Sequence, residues 1–381
     1  MASVSPVKPD VLRWAIVEDG RPLPEVAENA GVAVIDLQRW LDGDGGPSAG
    51  QLSRLSNALG RSRATLLLPA PPEAALTPTA FRRAVGTGNA VSTKARRAVR
   101  ESRQIQKALA WIRRDEAPVS LPASSFSQPA AVAATQAREW TGISTTDQFG
   151  WADERHAFRE WRSSLDARGI YVFALQIGKD EIRGFSDWDD RAPIIGVNTS
   201  SIGVPARIFS LAHELGHLVC RSDATCEEFG IPGVAQSKVE SWCESFASAF
   251  LMPSDAVIDV VQEQQAKAEK RGKEVSDLDQ VRLVVRKFRV SGRAAALRLE
   301  GLELAPKGLY AKVNHVFTPK AATSGQPFNP PRATMRLRQY GGDVIETLMN
   351  SLPPRDALRI LRIDALDARR LADEVPQIYG F

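Results

Sequence analysis

The segment Arg207–Arg221, RIFSLAHELGHLVCR, constrains this 381-residue chain more than any other. His213 and His217 stand four residues apart in an otherwise apolar run. On a helix, side chains four apart share one face, so both imidazoles can reach a single point. Glu214 is rotated off that face, far enough to reach a water at that point rather than the point itself. The flanking apolar residues make this a half-buried helix, and buried His and Glu need polar partners. A metal ion meets that need with the fewest groups. With only 4 histidines in the chain, a chance H-E-x-x-H is expected about 0.002 times. Coincidence therefore loses to metal binding.

A metal site of this type takes three protein ligands and keeps one position open. A second helical pattern, SKVESWCESFASAFLMP, offers Glu240 and Glu244 on one face. One completes the coordination and the other accepts the N–H of a ligand histidine. Trp242, Phe246, Ala247 and Phe250 bury this helix too. Cys243, beside that face, reads as a small core residue rather than a soft ligand. Cys226, Glu227 and Glu228 in the intervening loop read as off the metal, as do the lone histidines His156 and His315. For His315 an oxyanion-stabilising role is the weaker alternative to a surface or hydrogen-bonded one.

Composition narrows the remaining classes. At 43% hydrophobic and 25% charged residues the chain is ordinary globular material, long enough for two or three domains. A net charge of +4 neither demands nor excludes a nucleic-acid partner. No run of about 18 apolar residues is present, which predicts no membrane span. The start, MASVSPVKPDVL, lacks a basic region and an apolar run, so no signal peptide is expected. Three cysteines suit a reducing compartment, and the expected location is the cytoplasm.

Before the histidine helix the pattern is helical. Leu23, Val26, Ala27 and Ala30 share a face that ends at Gly31. Leu37, Trp40 and Leu41 line a second short helix, and Leu52, Leu55 and Leu59 a third. Helix, glycine turn, helix and support is the helix-turn-helix layout, although small protein-binding bundles share it. Residues 1–72 carry seven Lys/Arg and eight Asp/Glu, a net −1. Asp36, Gln38 and Arg39 on the would-be reading helix are a thin set for bases and phosphates. From Glu73 to Glu116 there are ten basic and four acidic residues, a net +6. Val99, Ser102, Ile105, Leu109 and Ile112 form the apolar stripe of a basic helix there, read as a solvated face ahead of a phosphate-binding strip. EAPVSLPASSFSQPAAVAA reads as a linker. From Trp151 helices mix with strands: GIYVFALQI, then two short strands around the acidic turn in EIRGFSDWDDRAPIIGVN. Antiparallel pairing is expected, with the strand Pro193–Val197 holding an extended peptide along its edge. A Gly/Pro-rich connector, Thr323–Arg332, precedes further small helices.

NTSSIGVPARIFSLAHELGHLV followed by VESWCESFASAFLMP resembles the ImmA/IrrE metallopeptidases, peptidase family M78. Asn198, Arg207, Phe209, Glu240, Cys243, Phe246, Ala247 and Met252–Pro253 match that family's pattern. The resemblance covers roughly Trp151–Phe317. It implies Zn2+ as cofactor, His213, His217 and Glu240 as its ligands, and Glu214 as the base. Glu244 departs from the pattern, standing where the family has Asn. The N-terminal module is similar to the Xre-type helix-turn-helix domains that precede such peptidases.

The expected architecture is multi-domain: an all-α helix-turn-helix module at 1–72 and a basic helix and linker at 73–150. An α+β zincin-like metallopeptidase domain at 151–320 and a small helical region at 321–381 follow. The leading function is a cytoplasmic zinc-dependent endopeptidase that regulates transcription by cleaving a protein substrate, a helix-turn-helix repressor or antitoxin. The alternative is a DNA-binding transcriptional regulator whose peptidase-like domain is a sensor with little or no proteolysis. DNA contact, where present, is assigned to the N-terminal module and the basic helix, and a homodimer is one arrangement for it. A third class is an antitoxin or scaffold partnered by a toxin.

Overall fold

Leu12, Leu37, Leu55 and Leu59 are each at most 1% exposed, because the apolar faces of four short helices converge on them. The computed structural model describes residues 7–19, 21–71, 81–82, 93–178, 182–200, 203–221, 234–316 and 330–375. Its chain divides into two units, Met1–Thr79 with Ala84–Arg100, and Ala80–Arg83 with Glu101–Phe381.

The first unit holds α1 (Pro9–Asp19), α2 (Leu23–Ala30), α3 (Val34–Leu41), α4 (Ala49–Ala58) and α5 (Arg63–Leu66). Gly31 ends α2 at φ +58, and its N–H returns to carbonyls of the last turn, as a C-terminal glycine does. Ser48 and Gln51 cap α4 reciprocally, side chain to backbone in both directions. Val26, Ala27, Ala30, Leu37 and Leu55 are fully buried, on the faces the spacing predicts. On the outer face of α3 the polar side chains are already engaged. Gln38 donates to Asp42 and Arg39 to Asp44.

The second unit is mostly helical around a small sheet. α6 (Thr93–Ile112) begins in the first unit and continues from Glu101 in the second, followed by α7 (Ala130–Thr141), α8 (Thr145–Gly150) and α9 (Glu154–Asp166). Val99, Ser102, Ile105 and Leu109 are buried, which is the stripe read from the sequence. Polar residues beside the stripe are buried with it: Arg103 pairs with Asp187, and Gln106 donates to the Asp187 carbonyl at 3.0 Å. The segment read as a linker ends in α7, whose Ala133, Ala134 and Ala137 are at most 1% exposed. The segment's prolines and serines have linker composition, but the alanines after Pro129 let α7 pack closely on its neighbour. Buried Arg138 locks it there, donating to the Phe250 carbonyl at 2.7 Å and to Gln148 at 2.8 Å.

Four strands form the sheet in the order β1 (Phe81–Arg82), β3 (Gly184–Asp187), β4 (Ile194–Asn198), β2 (Tyr171–Leu175). β3 pairs antiparallel with β4 and with β1, whereas β2 pairs parallel with β4. The sheet is therefore mixed, not antiparallel throughout as expected. β2 pairs with β4 rather than with β3, its successor in the chain, and neighbours joined across an intervening strand can run parallel. β4 is a central strand, bonded on both sides, so it offers no edge to an added peptide.

α10 (Val204–Cys220) crosses under β3 and β4 and packs along α11 (Val234–Leu251). α12 (Ser254–Glu269), α13 (Asp277–Phe288), α14 (Gly292–Gly301) and α15 (Leu309–Val316) follow, then α16 (Arg332–Tyr340), α17 (Gly342–Ser351), α18 (Pro354–Leu361) and α19 (Ala365–Glu374). The connector residues Thr323–Asn329, and Cys226, Glu227 and Glu228, lie outside the described residues. Among the described residues no helix is long and apolar enough to cross a membrane.

Trp161 of α9 sits at the centre of the main core, 0% exposed, with ring centroids 5.3 Å from Trp151 and 4.8 Å from Phe250. Trp161→Ala should cost about 3–5 kcal/mol of folding stability, the usual range for emptying a buried aromatic site. Urea unfolding followed by the remaining tryptophan fluorescence measures it, and a loss under about 1 kcal/mol contradicts this core assignment.

Candidate metal centre

α10 is buried nearly end to end. His213 and Glu214 are 0% exposed and His217 is 4% exposed. The helix starts after Gly203 with Pro205 in its first turn, where a missing N–H costs nothing. Two motif residues tie this start to the sheet. Arg207 donates to the Thr199 carbonyl at 2.9 Å. Asn198 donates to the carbonyls of Gly178 and Ile182 and accepts from the Ser200 N–H. These contacts give Asn198 and Arg207 a structural role, holding the end of β4 against the start of the histidine helix.

Glu240 comes from α11, which α10 contacts more extensively than any other element. The approach depends on Gly216. A Cβ there would stand 3.0 Å from the Phe246 ring and 3.5 Å from the Cys243 Cα. With only hydrogen at that position, the helix backbones come close enough for Glu240 to reach both histidines.

The donor atoms of the three side chains converge. His213 Nε2 lies 3.2 Å from Glu240 Oε2 and 3.2 Å from His217 Nε2, and His217 Nε2 lies 3.4 Å from Glu240 Oε1. Ligands about 2.0–2.1 Å from a tetrahedral ion are separated by roughly 3.3 Å. The observed spacings match that value, so the cluster fits a metal ion of this class. Glu214 points beside the cluster, toward β3. Ser186 Oγ donates to Glu214 Oε2 at 3.1 Å, and a Cβ on Gly184 would stand only 2.8 Å from Glu214 Oε1. The carboxylate is thus wedged between a hydroxyl and bare backbone. Neither Ser186 nor Gly184 was legible as a site residue. Nothing in their local pattern marks them, and only the strand's placement brings them to Glu214.

Electrostatics without metal follow from the geometry. Burial pulls the His217 pKa down, but the Glu240 hydrogen bond and the Glu214 and Glu240 charges outweigh it and push it up to about 9. Burial raises the Glu240 carboxyl, yet the hydrogen bonds from His213 and His217 hold it far below the ordinary carboxylate range. Burial pushes the Cys243 thiol up, and it sits fully buried near Cys220 as a core residue. Glu244 is exposed and stands outside the three-donor cluster. His156 caps its own neighbourhood on α9, accepting from the Ala152 N–H at 3.3 Å, and is remote from the cluster in the hydrogen bonds it makes. The side chain of His315 lies outside the described residues.

Residues 165–300 match the sequence profile of Peptidase M78, the IrrE N-terminal-like domain. That span contains β2, β3, β4, α10 and α11, and so every residue of the cluster. The match supports a metallopeptidase-type enzyme of the zincin-like kind for this M78-like domain. No curated protein matches the chain.

Two measurements follow. Gly216→Ala gains about 1 kcal/mol of helix propensity but forces the Phe246 ring away, an overpacking of about 1–3 kcal/mol. Stability should therefore change little while metal affinity falls at least tenfold, because Glu240 moves with α11. Calorimetric titration of the metal-free protein with zinc checks this, and unchanged affinity would show that Gly216 does not set the reach of Glu240. The second concerns pH. The folded His217 pKa, about 9, exceeds its ordinary 6.5, so its contribution to stability is present below 6.5 and lost as pH rises through 9. The folded Glu240 pKa is depressed, so its contribution is present above its ordinary 4.5 and lost as pH falls toward the lower folded value. Chelator-treated protein should melt highest near pH 5–7 and lower at pH 10, and a melting temperature rising from pH 7 to pH 10 contradicts the pairing.

Proposed function

We propose that the chain is a zinc-dependent endopeptidase whose substrate is a regulatory protein, a helix-turn-helix repressor or antitoxin. The observation that carries this reading is the convergence of His213, His217 and Glu240 at tetrahedral ligand spacing beside a buried, separately held Glu214. His213, His217 and Glu240 hold the ion. Zinc, when bound there, supplies a Lewis acid that polarises a peptide carbonyl and acidifies water. Glu214 takes the proton from the attacking water and delivers it to the leaving nitrogen. Ser186 keeps that carboxylate aimed while the proton is passed. The regulatory substrate comes from the resemblance of the whole arrangement to the ImmA/IrrE peptidases. The N-terminal unit is read as the part that meets the protein partner. Its net charge of −1 over residues 1–72, and the engaged Gln38 and Arg39, suit a protein surface better than phosphate.

Glu214→Gln keeps the size of the side chain and all three ligands, so zinc content by metal analysis should stay at one ion per chain. Mass spectrometry of new protein N-termini in cells carrying either form should show cuts in a repressor or antitoxin only with the wild type. Identical sets of new termini in the two cultures would overturn the peptidase reading.

A further inference from the structure

The strand beside Glu214 has two edges. β4 occupies one, from Gly184 opposite Val197 to Asp187 opposite Ile194. On the other edge lies β1, with Phe81 opposite Phe185 and Arg82 opposite Gly184, running antiparallel. Gly184 is the residue against which the Glu214 carboxylate rests, and Ser186, two residues on, is bonded to that carboxylate. The register therefore sets the Arg82 backbone directly alongside the part of β3 that touches the base. An extended chain laid antiparallel on a sheet edge is how strand addition holds a peptide, through backbone bonds that tolerate many sequences.

The pairing is not a local hairpin. Phe81 and Phe185 are 104 residues apart (185 − 81), so closing this contact costs loop entropy that two paired residues recover only in part. A strand of two residues is marginal by itself. Two paired residues hold an edge weakly, as a substrate segment is held, in contrast to β4, which is paired on both sides. It also lies in the stretch that joins the N-terminal helices to the M78-like domain.

We propose that the chain is its own substrate, with the Phe81–Arg82 segment presented on β3 as an extended strand and hydrolysed there. The step rests on the peptidase reading above. The backbone C–N bond breaks, the oxygen of water becomes part of the new C-terminal carboxylate, and its proton reaches the new N-terminal amine through Glu214. The consequence is a covalent break between α1–α5 and the polypeptide that carries α6 and the M78-like domain, made only when metal is bound.

The test uses the full-length protein, stripped of metal, then supplied with zinc chloride and followed by intact-mass spectrometry. The expected result is two fragments whose boundary lies within one residue of the Phe81–Arg82 bond, at a rate unchanged by tenfold dilution. Glu214→Gln should remain intact. The double variant Phe81→Pro with Arg82→Pro, which cannot donate backbone N–H groups to β3, should be cut at least tenfold more slowly. Unfolded casein is incubated with the same samples. Casein cut by the wild type but not by Glu214→Gln, with the chain itself intact, overturns self-cleavage and leaves the peptidase reading standing. Neither protein cut overturns both, and cutting that is equal in Glu214→Gln overturns self-cleavage by assigning it to a contaminant.

Discussion

The close approach of α10 and α11 at Gly216 is the contact on which the centre depends. Two histidines four apart on one helix can meet an ion, but they cannot complete its coordination alone. The third donor must come from another element, and a carboxylate reaches them only if the helix backbones nearly touch. Gly216 permits this by presenting no side chain to the Phe246 ring. The stacked rings of Trp242, Phe246 and Phe250 then hold α11 in register, so that Glu240 and not Glu244 faces the histidines. An ion pair inside this contact is costly unless well paired, which is why the donors lie within 3.2–3.4 Å of one another.

The sheet is the second support, and it holds the Glu214 carboxylate. β3 crosses the flank of α10 with a glycine where Glu214 needs space and a serine where it needs a donor. Arg103 and Gln106 of α6 fasten the far end of β3 at Asp187. The arrangement separates two tasks that chemistry at a metal requires. The ligands are fixed by helix against helix, and the carboxylate beside them is fixed by strand against helix. A disturbance of one need not displace the other.

The match of residues 165–300 to the M78 profile covers these elements and stops short of the N-terminal and C-terminal helices. α16 is nevertheless bound into the second unit, through the edge-to-face contact of Tyr340 with Phe173 of β2 and Arg162 donating to carbonyls at its C-terminal end. The His213, His217 and Glu240 cluster thus lies within the span of the M78 profile, while α6–α8 and α16–α19 lie outside it.

The sequence by itself determined most of the helices and which of their faces are apolar. Periodicity at His213 and His217, buried flanks and the spacing of Leu37, Trp40 and Leu41 are local facts, fixed by 3.6 residues per turn. It could not determine what meets those faces. Helical spacing left Glu240 and Glu244 open, the family resemblance pointed to Glu240, and the packing of α11 brings Glu240 to the histidines. The parallel pairing of β2 and the central place of β4 needed the sheet order. Residues 116–134 read as a linker because their prolines and serines mark loops, whereas the closing alanines suit either a loose chain or a tight helix contact, and only the partner distinguishes them. Ser186 and Gly184 became site residues through a strand whose position depends on contacts far away in sequence. Local structure follows from short-range sterics and patterning, whereas a site made by several elements follows from which surfaces bury one another.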